Sequence, residues 1–189
     1  MSPEVAATNT PGEDAELMHR VRKGDEAALG TLMERWEFPL KSFIGRIVLN
    51  AGEAEDLAQE TFVRVWQQRD KYRPDAAFRP WIFAIAVNLS RNRLRWWRSR
   101  PEVALEEWSE TATDAASGAT AAEHNECVAA VRTAIAALPT DMRDAILLSE
   151  YERMSHAEIA VAVRATSKAV ENRVARARER LRSALARWA

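Results

Sequence analysis

The stretch SHAEIAVAVRATSKAVENRVARARERL, residues 155–181, decides the fold class of this chain. It opens on Ser155 with Glu158 three residues later, the spacing of a capping box at the start of a helix. Thr166 then precedes a second, longer run of helical period. The stretch therefore predicts a short helix, a turn and a longer basic helix. This is the helix-turn-helix arrangement, in which the second helix enters the DNA major groove.

The longer helix has one apolar and one polar face. Apolar residues at spacings of three and four are expected to face the core: Val170, Val174, Ala177, Leu181 and Leu185. The opposite face carries Lys168, Asn172, Ala175 and Arg176, with Glu171 at its edge. Asparagine suits adenine, and lysine or arginine suits guanine or phosphate. The alternative is a charged face that is merely solvated.

The rest of the chain also has helical period. Upstream of the motif we predict a helix from about Cys127 to Leu138, broken by Pro139, and another from Asp141 to Glu152 capped by Thr140. No convincing alternating strand run is present, and the chain has only six glycines. The predicted fold class is all-α.

The net charge of −1 conceals a strong segregation of charge along the chain. Residues 64–100 carry net +8, residues 101–126 carry net −7 and residues 164–189 carry net +6. Two basic blocks separated by an acidic one predict two polyanion-binding surfaces. Residues 101–126 are rich in Ala, Thr, Ser and Glu, so we interpret them as a linker. It joins a first domain, residues 15–100, to a second domain, residues 127–189. We expect residues 1–14, before the first domain, to form a disordered tail. This acidic linker could mimic nucleic acid or keep the free protein off DNA.

The segment AEDLAQETFVRVW, residues 54–66, predicts a helix with an unusual exposed face. Its core stripe is Ala54, Leu57, Ala58, Thr61, Phe62 and Val65. The reverse face places Val63 among Asp56, Gln59, Glu60 and Gln67. An exposed valine among carboxylates and amides is typical of a protein docking patch, although a solvated face is the simpler alternative.

A second helix ends in the stretch RNRLRWWRSR, residues 91–100, with five arginines and two tryptophans. Upstream, a predicted buried stripe consists of Phe78, Trp81, Ile82, Ile85 and Leu89. Asn88, Arg91, Asn92 and Arg95 share a neighbouring face. Amide, guanidinium and indole groups together suit unpaired nucleic-acid strands. The alternative is a solvated basic helix end whose tryptophans fold into the core.

Composition argues against several other classes of protein. The three histidines, His19, His124 and His156, are scattered, and no phosphate-cradling glycine loop is present, so we expect neither an enzyme nor a cofactor or metal. The single cysteine, Cys127, predicts a buried apolar role and a reducing compartment. No apolar segment is long enough to span a bilayer, and we expect a cytoplasmic protein.

Taken together, these motifs resemble bacterial sigma factors of the extracytoplasmic-function group, the type that keeps sigma regions 2 and 4. The resemblance runs through VRKGDEAALGTLMERW, AEDLAQETFVRVW, YRPDAAFRPWIFAIAVNLSRNRLR and LPTDMRDAILLSEYERMSHAEIAVAVRATSKAVENRVARARERLR. It implies a transcription initiation factor with core RNA polymerase and promoter DNA as partners, usually held inactive by an anti-sigma factor. A stand-alone repressor, which needs only the second domain and a dimer interface, is the alternative.

The resemblance implies a role for each predicted surface. Core polymerase would dock on Asp56, Gln59, Glu60 and Val63. The melted minus-ten element would bind Lys71, Arg73, Trp81, Asn88, Arg91, Asn92, Arg95 and Trp96. The minus-thirty-five duplex would meet Lys168, Glu171, Asn172, Arg173 and Arg176.

The turn of the helix-turn-helix departs from the family pattern. The family commonly has glycine where this chain has Arg164. A positive φ at this position would cost a non-glycine residue about 1 kcal/mol or somewhat more, so a differently shaped turn, with a different tilt of the second helix, is the alternative.

Overall fold

The computed structural model describes residues 11–73, 75–100 and 119–188. All regular elements in these ranges are helical, which confirms the all-α fold. The helices are α1 (Pro11–Arg22), α2 (Glu26–Val48), α3 (Ala51–Gln67), α4 (Phe78–Ser99), α5 (Ala119–Ala136), α6 (Thr140–Glu150), α7 (His156–Val163) and α8 (Ser167–Ala184), with short 3-10 turns at Arg69–Lys71 and Ala186–Trp188.

Helices α1–α4 form the N-terminal domain around an aromatic core. The ring of Phe83 lies edge-on to Trp36 at 6.0 Å and to Phe43 at 5.1 Å. Asp25 caps α2 by accepting from the Ala28 N–H, and Asn50 caps α3 by accepting from the Glu53 N–H. Such caps satisfy backbone donors that the first turn of a helix leaves unpaired. They fix where α2 and α3 begin.

The predicted boundary of the disordered tail, 1–14, is wrong at its C-terminal end. Helix α1 begins at Pro11, and Asp14 is buried within it. The Asp14 carboxylate accepts hydrogen bonds from Arg35 at 2.6 Å and from the Trp36 indole at 3.2 Å, both on α2. These partners explain the burial, since a buried carboxylate needs compensating donors. Residues 1–10 lie outside the described ranges.

The C-terminal domain contains the predicted helix-turn-helix. Ser155 and Glu158 form the capping box of α7, and the Thr166 side chain accepts from the Ala169 N–H to cap α8. Between the two helices Arg164 adopts the left-handed conformation, with φ 52° and ψ 53°. Its N–H reaches the carbonyls of Ala160 and Val161. The turn therefore keeps the geometry that glycine adopts easily, at a strain cost of about 1 kcal/mol or more.

Three local predictions in this half are wrong. Helix α5 begins at Ala119 rather than Cys127, so the end of the predicted linker 101–126 is helical, while residues 101–118 lie outside the described ranges. Thr140 is the first helical residue of α6 and not its cap, because Pro139 occupies the cap position and fixes the entry of the chain. Cys127 is half-buried rather than buried, in the middle of α5.

The two domains pack against each other. Helix α7 lies against α4, α6 contacts α2, and one continuous apolar cluster includes side chains from both domains. Polar contacts cross the same boundary: Arg91 on α4 donates to Asp144 on α6 at 2.6 Å, and the Arg46 guanidinium lies 4.2 Å from the centre of the Tyr151 ring. The described domains therefore form a closed arrangement.

Candidate functional site

The exposed face of α3 has the composition that the sequence predicts. All six residues of the predicted core stripe are buried. Asp56 and Gln59 are exposed, and Val63 keeps 46% of its surface accessible. Glu60 is half-buried and accepts from Arg64 at 2.6 Å, one turn further along the helix. An apolar side chain is thus presented within a mainly acidic and amide surface, which a partner with a basic, partly apolar surface would complement.

The outer face of α8 is also exposed as predicted. Val170, Val174 and Ala177 are buried, whereas Leu181 and Leu185 are half-buried. On the opposite side Lys168, Glu171, Asn172 and Arg176 are exposed. Lys168 donates to Glu171 at 2.9 Å, and this hydrogen bond lowers the pKa of the Glu171 carboxyl. Asn172 and Arg176 lie one turn apart on a free helix face that can reach a groove.

Arg173 lies apart from this outer face. Its side chain is half-buried, and its guanidinium lies 3.1 Å from the carboxylate of Asp141 on α6. It lines the cleft between the domains instead of the outer surface of α8. Arg173 directly follows Asn172, and consecutive residues of a helix point about 100° apart, so the two side chains lie on different sides of α8.

The core face of α4 is rotated from the predicted stripe. Phe78 and Ile82 are buried as expected, together with Phe83, Ala86 and Val87. Trp81, Ile85 and Leu89 are only half-buried, because they lie on the side of α4 that meets the C-terminal domain, where they line a cleft with Val161 and Arg164. Trp81 also packs edge-on against Tyr72, at 5.1 Å between ring centres.

The polar residues of α4 divide into exposed and paired groups. Asn88, Asn92 and Arg95 are exposed, and Arg95 donates to the Asn92 side-chain oxygen. Arg91 is half-buried and bound to Asp144. Asn88, Arg91 and Arg95 border a cleft of about 530 Å³ between α4 and the C-terminal domain, whereas Asn92 lines a neighbouring cleft with Asn88. The structure therefore brings three of the predicted minus-ten residues of α4 together in one cleft, and one of them, Arg91, is already paired.

Two predicted residues precede α4. Lys71 is exposed at the end of the 3-10 turn Arg69–Lys71. Arg73 is exposed and lies 2.9 Å from Asp75, and this interaction lowers the pKa of the Asp75 carboxyl. Both side chains are accessible beside α4.

The two adjacent tryptophans of RNRLRWWRSR have different environments. Trp97 is 6% exposed and belongs to the core, so it does not form an exposed pair with its neighbour. Trp96 is 36% exposed, and the guanidinium groups of Arg93 and Arg100 lie 5.7 Å and 5.0 Å from its ring centre. The stretch therefore presents one accessible indole surrounded by cations.

Sequence reasoning did not identify the acidic side chains that face α4. Asp144 is fully buried, and burial raises the pKa of its carboxyl while Arg91 opposes the rise. Burial likewise raises the pKa of Glu152, against Arg79 and Arg46. The one sequence signal for Asp144 is its place in the apolar run DAILL, where a charged residue needs a partner.

Metal binding and membrane insertion find no support in the described ranges. Among these residues no cluster of three or more His, Cys, Asp or Glu side chains could hold a metal ion. None of the helices in the same part of the chain combines the length and apolar character that crossing a membrane requires.

Comparison with known proteins identifies both domains. Residues 32–100 match Sigma-70 region 2, and residues 129–181 match Sigma-70, region 4. The chain is 33% identical over 184 residues to RNA polymerase sigma-H factor of Pseudomonas aeruginosa, covering 93% of this chain and 95% of the relative. It is 33% identical over 174 residues to ECF RNA polymerase sigma-E factor of Escherichia coli K12, covering 88% and 91%.

Solved structures agree with this assignment. CnrH, in complex with the cytosolic domain of CnrY, is similar with a TM-score of 0.70 and 27% identity, over 92% of this chain and 97% of that one. The sigma factor RpoE of Bartonella quintana, in complex with the anti-sigma factor NepR, shares the fold with a TM-score of 0.59 and 20% identity, over 82% and 95%. The chain therefore belongs to the extracytoplasmic-function group of sigma-70 factors, and is an initiation factor, not an enzyme, that directs RNA polymerase to promoters.

Proposed function

We propose that three separate surfaces divide the work of initiation in this chain. The α3 face around Val63 binds core polymerase, the outer face of α8 reads the minus-thirty-five element as duplex, and α4 captures the melted minus-ten strand. The observation that supports this division is the composition of the three exposed faces. The face of α3 is acidic and apolar, the face of α8 is basic and carries amides, and the face of α4 is basic and carries amides and an indole. A stand-alone repressor needs neither a polymerase-docking face on α3 nor a strand-binding face on α4, so this alternative is not favoured.

Run-off transcription tests the proposal as a whole. Purified chain and core polymerase are incubated with genomic fragments from the source bacterium, and transcripts are mapped at their starts. We expect defined starts preceded by shared minus-ten and minus-thirty-five sequences. Transcripts that core polymerase alone produces equally well would refute the proposal.

We expect charge reversal on the α3 face to weaken the binding of core polymerase. Asp56→Arg removes an exposed carboxylate from the helix face that carries Val63 and adds a like charge against a basic partner, which costs several kcal/mol at an interface. Native sedimentation or surface plasmon resonance with core enzyme measures the affinity. Glu16→Arg on α1 is a matched control, because Glu16 is also exposed but lies outside this face. Equal affinity for the Asp56 and Glu16 variants would remove α3 from the interface.

We expect Asn172→Ala to relax base preference at one or two upstream positions. A bidentate amide contact to a base contributes about 1–3 kcal/mol of discrimination. Arg176→Ala is expected to weaken binding to all sequences alike if this side chain contacts phosphate. Both effects are measured by holoenzyme binding to a library randomised in the upstream element. Unchanged base preferences in Asn172→Ala would contradict the assignment of α8.

The same proposal implies a regulatory partner and a cellular location. Relatives of this fold are solved in complex with CnrY and with the anti-sigma factor NepR, which supports a cognate anti-sigma factor as a partner of this chain. The site of action would be the cytoplasm, where core polymerase and promoter DNA are found.

A further inference from the structure

Two arginines adopt an unusual backbone conformation on either side of α7. Arg153 has a φ of 53° and Arg164 a φ of 52°, both in the left-handed region that glycine enters more easily than a residue with a Cβ. Arg153 lies three residues before the first residue of α7, and Arg164 directly follows the last. In the described ranges Leu49 is the only other non-glycine residue with a positive φ. Both arginines therefore occupy positions where glycine would suit the backbone better.

No contact of either guanidinium explains its position. Both side chains are exposed, and within the described part of the chain neither takes part in a hydrogen bond, an ion pair or a cation–π contact. Arg164 borders the cleft between α4 and α7, and no acidic side chain among the described residues lines that cleft. By contrast, Arg178 of α8 lies 2.6 Å from the carboxylate of Glu150. A strained conformation that the surrounding structure does not use supports a hypothesis of function.

The length of α7 matches the width of the groove that the motif reads. In a helix-turn-helix the first helix crosses the DNA backbone, while the second lies in the major groove. Helix α7 has 8 residues, and at 1.5 Å per residue it is about 12 Å long. The major groove of B-DNA is also about 12 Å wide. A cation at each end of α7 can therefore reach a phosphate on each of the two strands that border the groove.

We propose that Arg153 and Arg164 form a clamp that binds one backbone phosphate on each strand of the minus-thirty-five duplex. This inference rests on the proposed role of α8 in reading that duplex. Arginine suits the clamp, because its planar guanidinium stays charged and donates to two phosphate oxygens at once. Phosphate contacts fix the register of a protein on DNA and carry no sequence information. The ends of α7 thus position the motif, and α8 supplies the base preference.

Glycine at these two positions distinguishes a role in DNA binding from a role in folding. Arg153→Gly and Arg164→Gly each remove a guanidinium and relieve the backbone, so we expect the melting temperature to stay unchanged or to rise. Each variant should nevertheless bind promoter duplex several-fold more weakly. The slope of log affinity against log salt concentration should become shallower by about 0.9, the value of one phosphate contact. The double variant should lose about twice as much, with base preferences unchanged.

The probe is a fluorescein-labelled duplex from the upstream part of a promoter mapped by run-off transcription, ending before the minus-ten element. Holoenzyme, assembled from core polymerase and the full-length chain, is titrated against it by anisotropy over a series of salt concentrations. Lys23→Gly is the matched control, because it removes one positive charge from an exposed turn residue of the N-terminal domain. Arg153→Lys and Arg164→Lys keep the charge and should retain most of the salt dependence.

Uncharged methylphosphonate linkages identify the phosphates that the clamp binds. One linkage at a time is placed along each strand of the probe, and it weakens binding of the parent wherever a contacted phosphate is replaced. We expect one position to lose its effect in Arg164→Gly and a position on the opposite strand to lose its effect in Arg153→Gly. This pattern would assign each arginine to its own strand.

Salt slopes equal to that of Lys23→Gly at either arginine would overturn the clamp. The same conclusion would follow if every methylphosphonate position behaved alike in the parent and the glycine variants. A lower melting temperature in both glycine variants would show that these side chains serve the fold, which also contradicts the proposal. Failure of the proposed function has a different signature, since the parent would then give no promoter-specific run-off transcript with core polymerase.

Discussion

Replacement of Asn88 by alanine is expected to reduce open-complex formation on a duplex promoter about tenfold, equivalent to about 1.4 kcal/mol of lost strand binding. Unstacking a base from duplex costs a few kcal/mol, and a factor that hydrolyses nothing can offset this cost only by binding the extruded strand. Asn88 is exposed on α4 and borders both clefts of the interface, where its amide can reach a base edge. Fluorescence of 2-aminopurine in the minus-ten element measures the melted fraction.

A template with the minus-ten element already unpaired distinguishes strand capture from other defects. The cost of unstacking is removed in advance on this template, so much of the Asn88→Ala defect should disappear. Asn172→Ala is the matched control, because it removes the same side chain from α8, where a loss of duplex reading should persist on both templates. Equal opening of the duplex promoter by Asn88→Ala and the parent, below saturation of the complex, would exclude Asn88 from strand capture.

Trp96 belongs to the same prediction, and Trp97 does not. Trp96 presents an accessible ring, and stacking of a base on an aromatic contributes about 1–3 kcal/mol. Trp96→Ala should therefore behave like Asn88→Ala on both templates. Trp97 is buried in the core, so its replacement would act through the stability of the domain.

Local signals in the sequence predicted the helix-turn-helix well. The capping box of Ser155 and Glu158 and the cap by Thr166 involve residues three positions apart, so both can be recognised from the sequence without knowledge of the tertiary structure. The positive φ at Arg164 did not follow from the sequence, because the strain cost of a left-handed non-glycine residue left a differently shaped turn as an alternative. The exposed faces of α3 and α8 followed from the helical period alone.

Long-range pairing explains what the sequence did not predict. The helical period of α4 predicted that Trp81, Ile85 and Leu89 face the core of their own domain, yet these side chains face the other domain. Periodicity shows which helix face is apolar, but it does not show which neighbour covers that face. Asp14 is a similar case, since the donors that bury it lie 21 and 22 residues away. Arg91 and Asp144 are 53 residues apart across the segment interpreted as a linker, so neither gave any sign of the other.

Replacement of Phe83 by alanine is expected to lower the free energy of unfolding of the N-terminal domain by about 3–5 kcal/mol. The side chain is fully buried, and its ring packs edge-on against Trp36 and Phe43. Its removal forfeits apolar burial and leaves a cavity that neighbouring rings of fixed shape fill poorly. Urea denaturation followed by tryptophan fluorescence measures the change.

Phe38 is the matched control, since it is the same residue type on α2 but 74% exposed. Phe38→Ala is expected to change stability by no more than about 0.5 kcal/mol. Equal destabilisation by the two substitutions would mean that the core does not lie where the structure places it. Phe83 and Asn88 lie on the same helix, so the Phe83→Ala and Asn88→Ala variants together distinguish a loss of folding from a loss of strand binding. Phe83→Ala should impair promoter opening most at temperatures where the domain begins to unfold, whereas Asn88→Ala should impair it while the domain is fully folded.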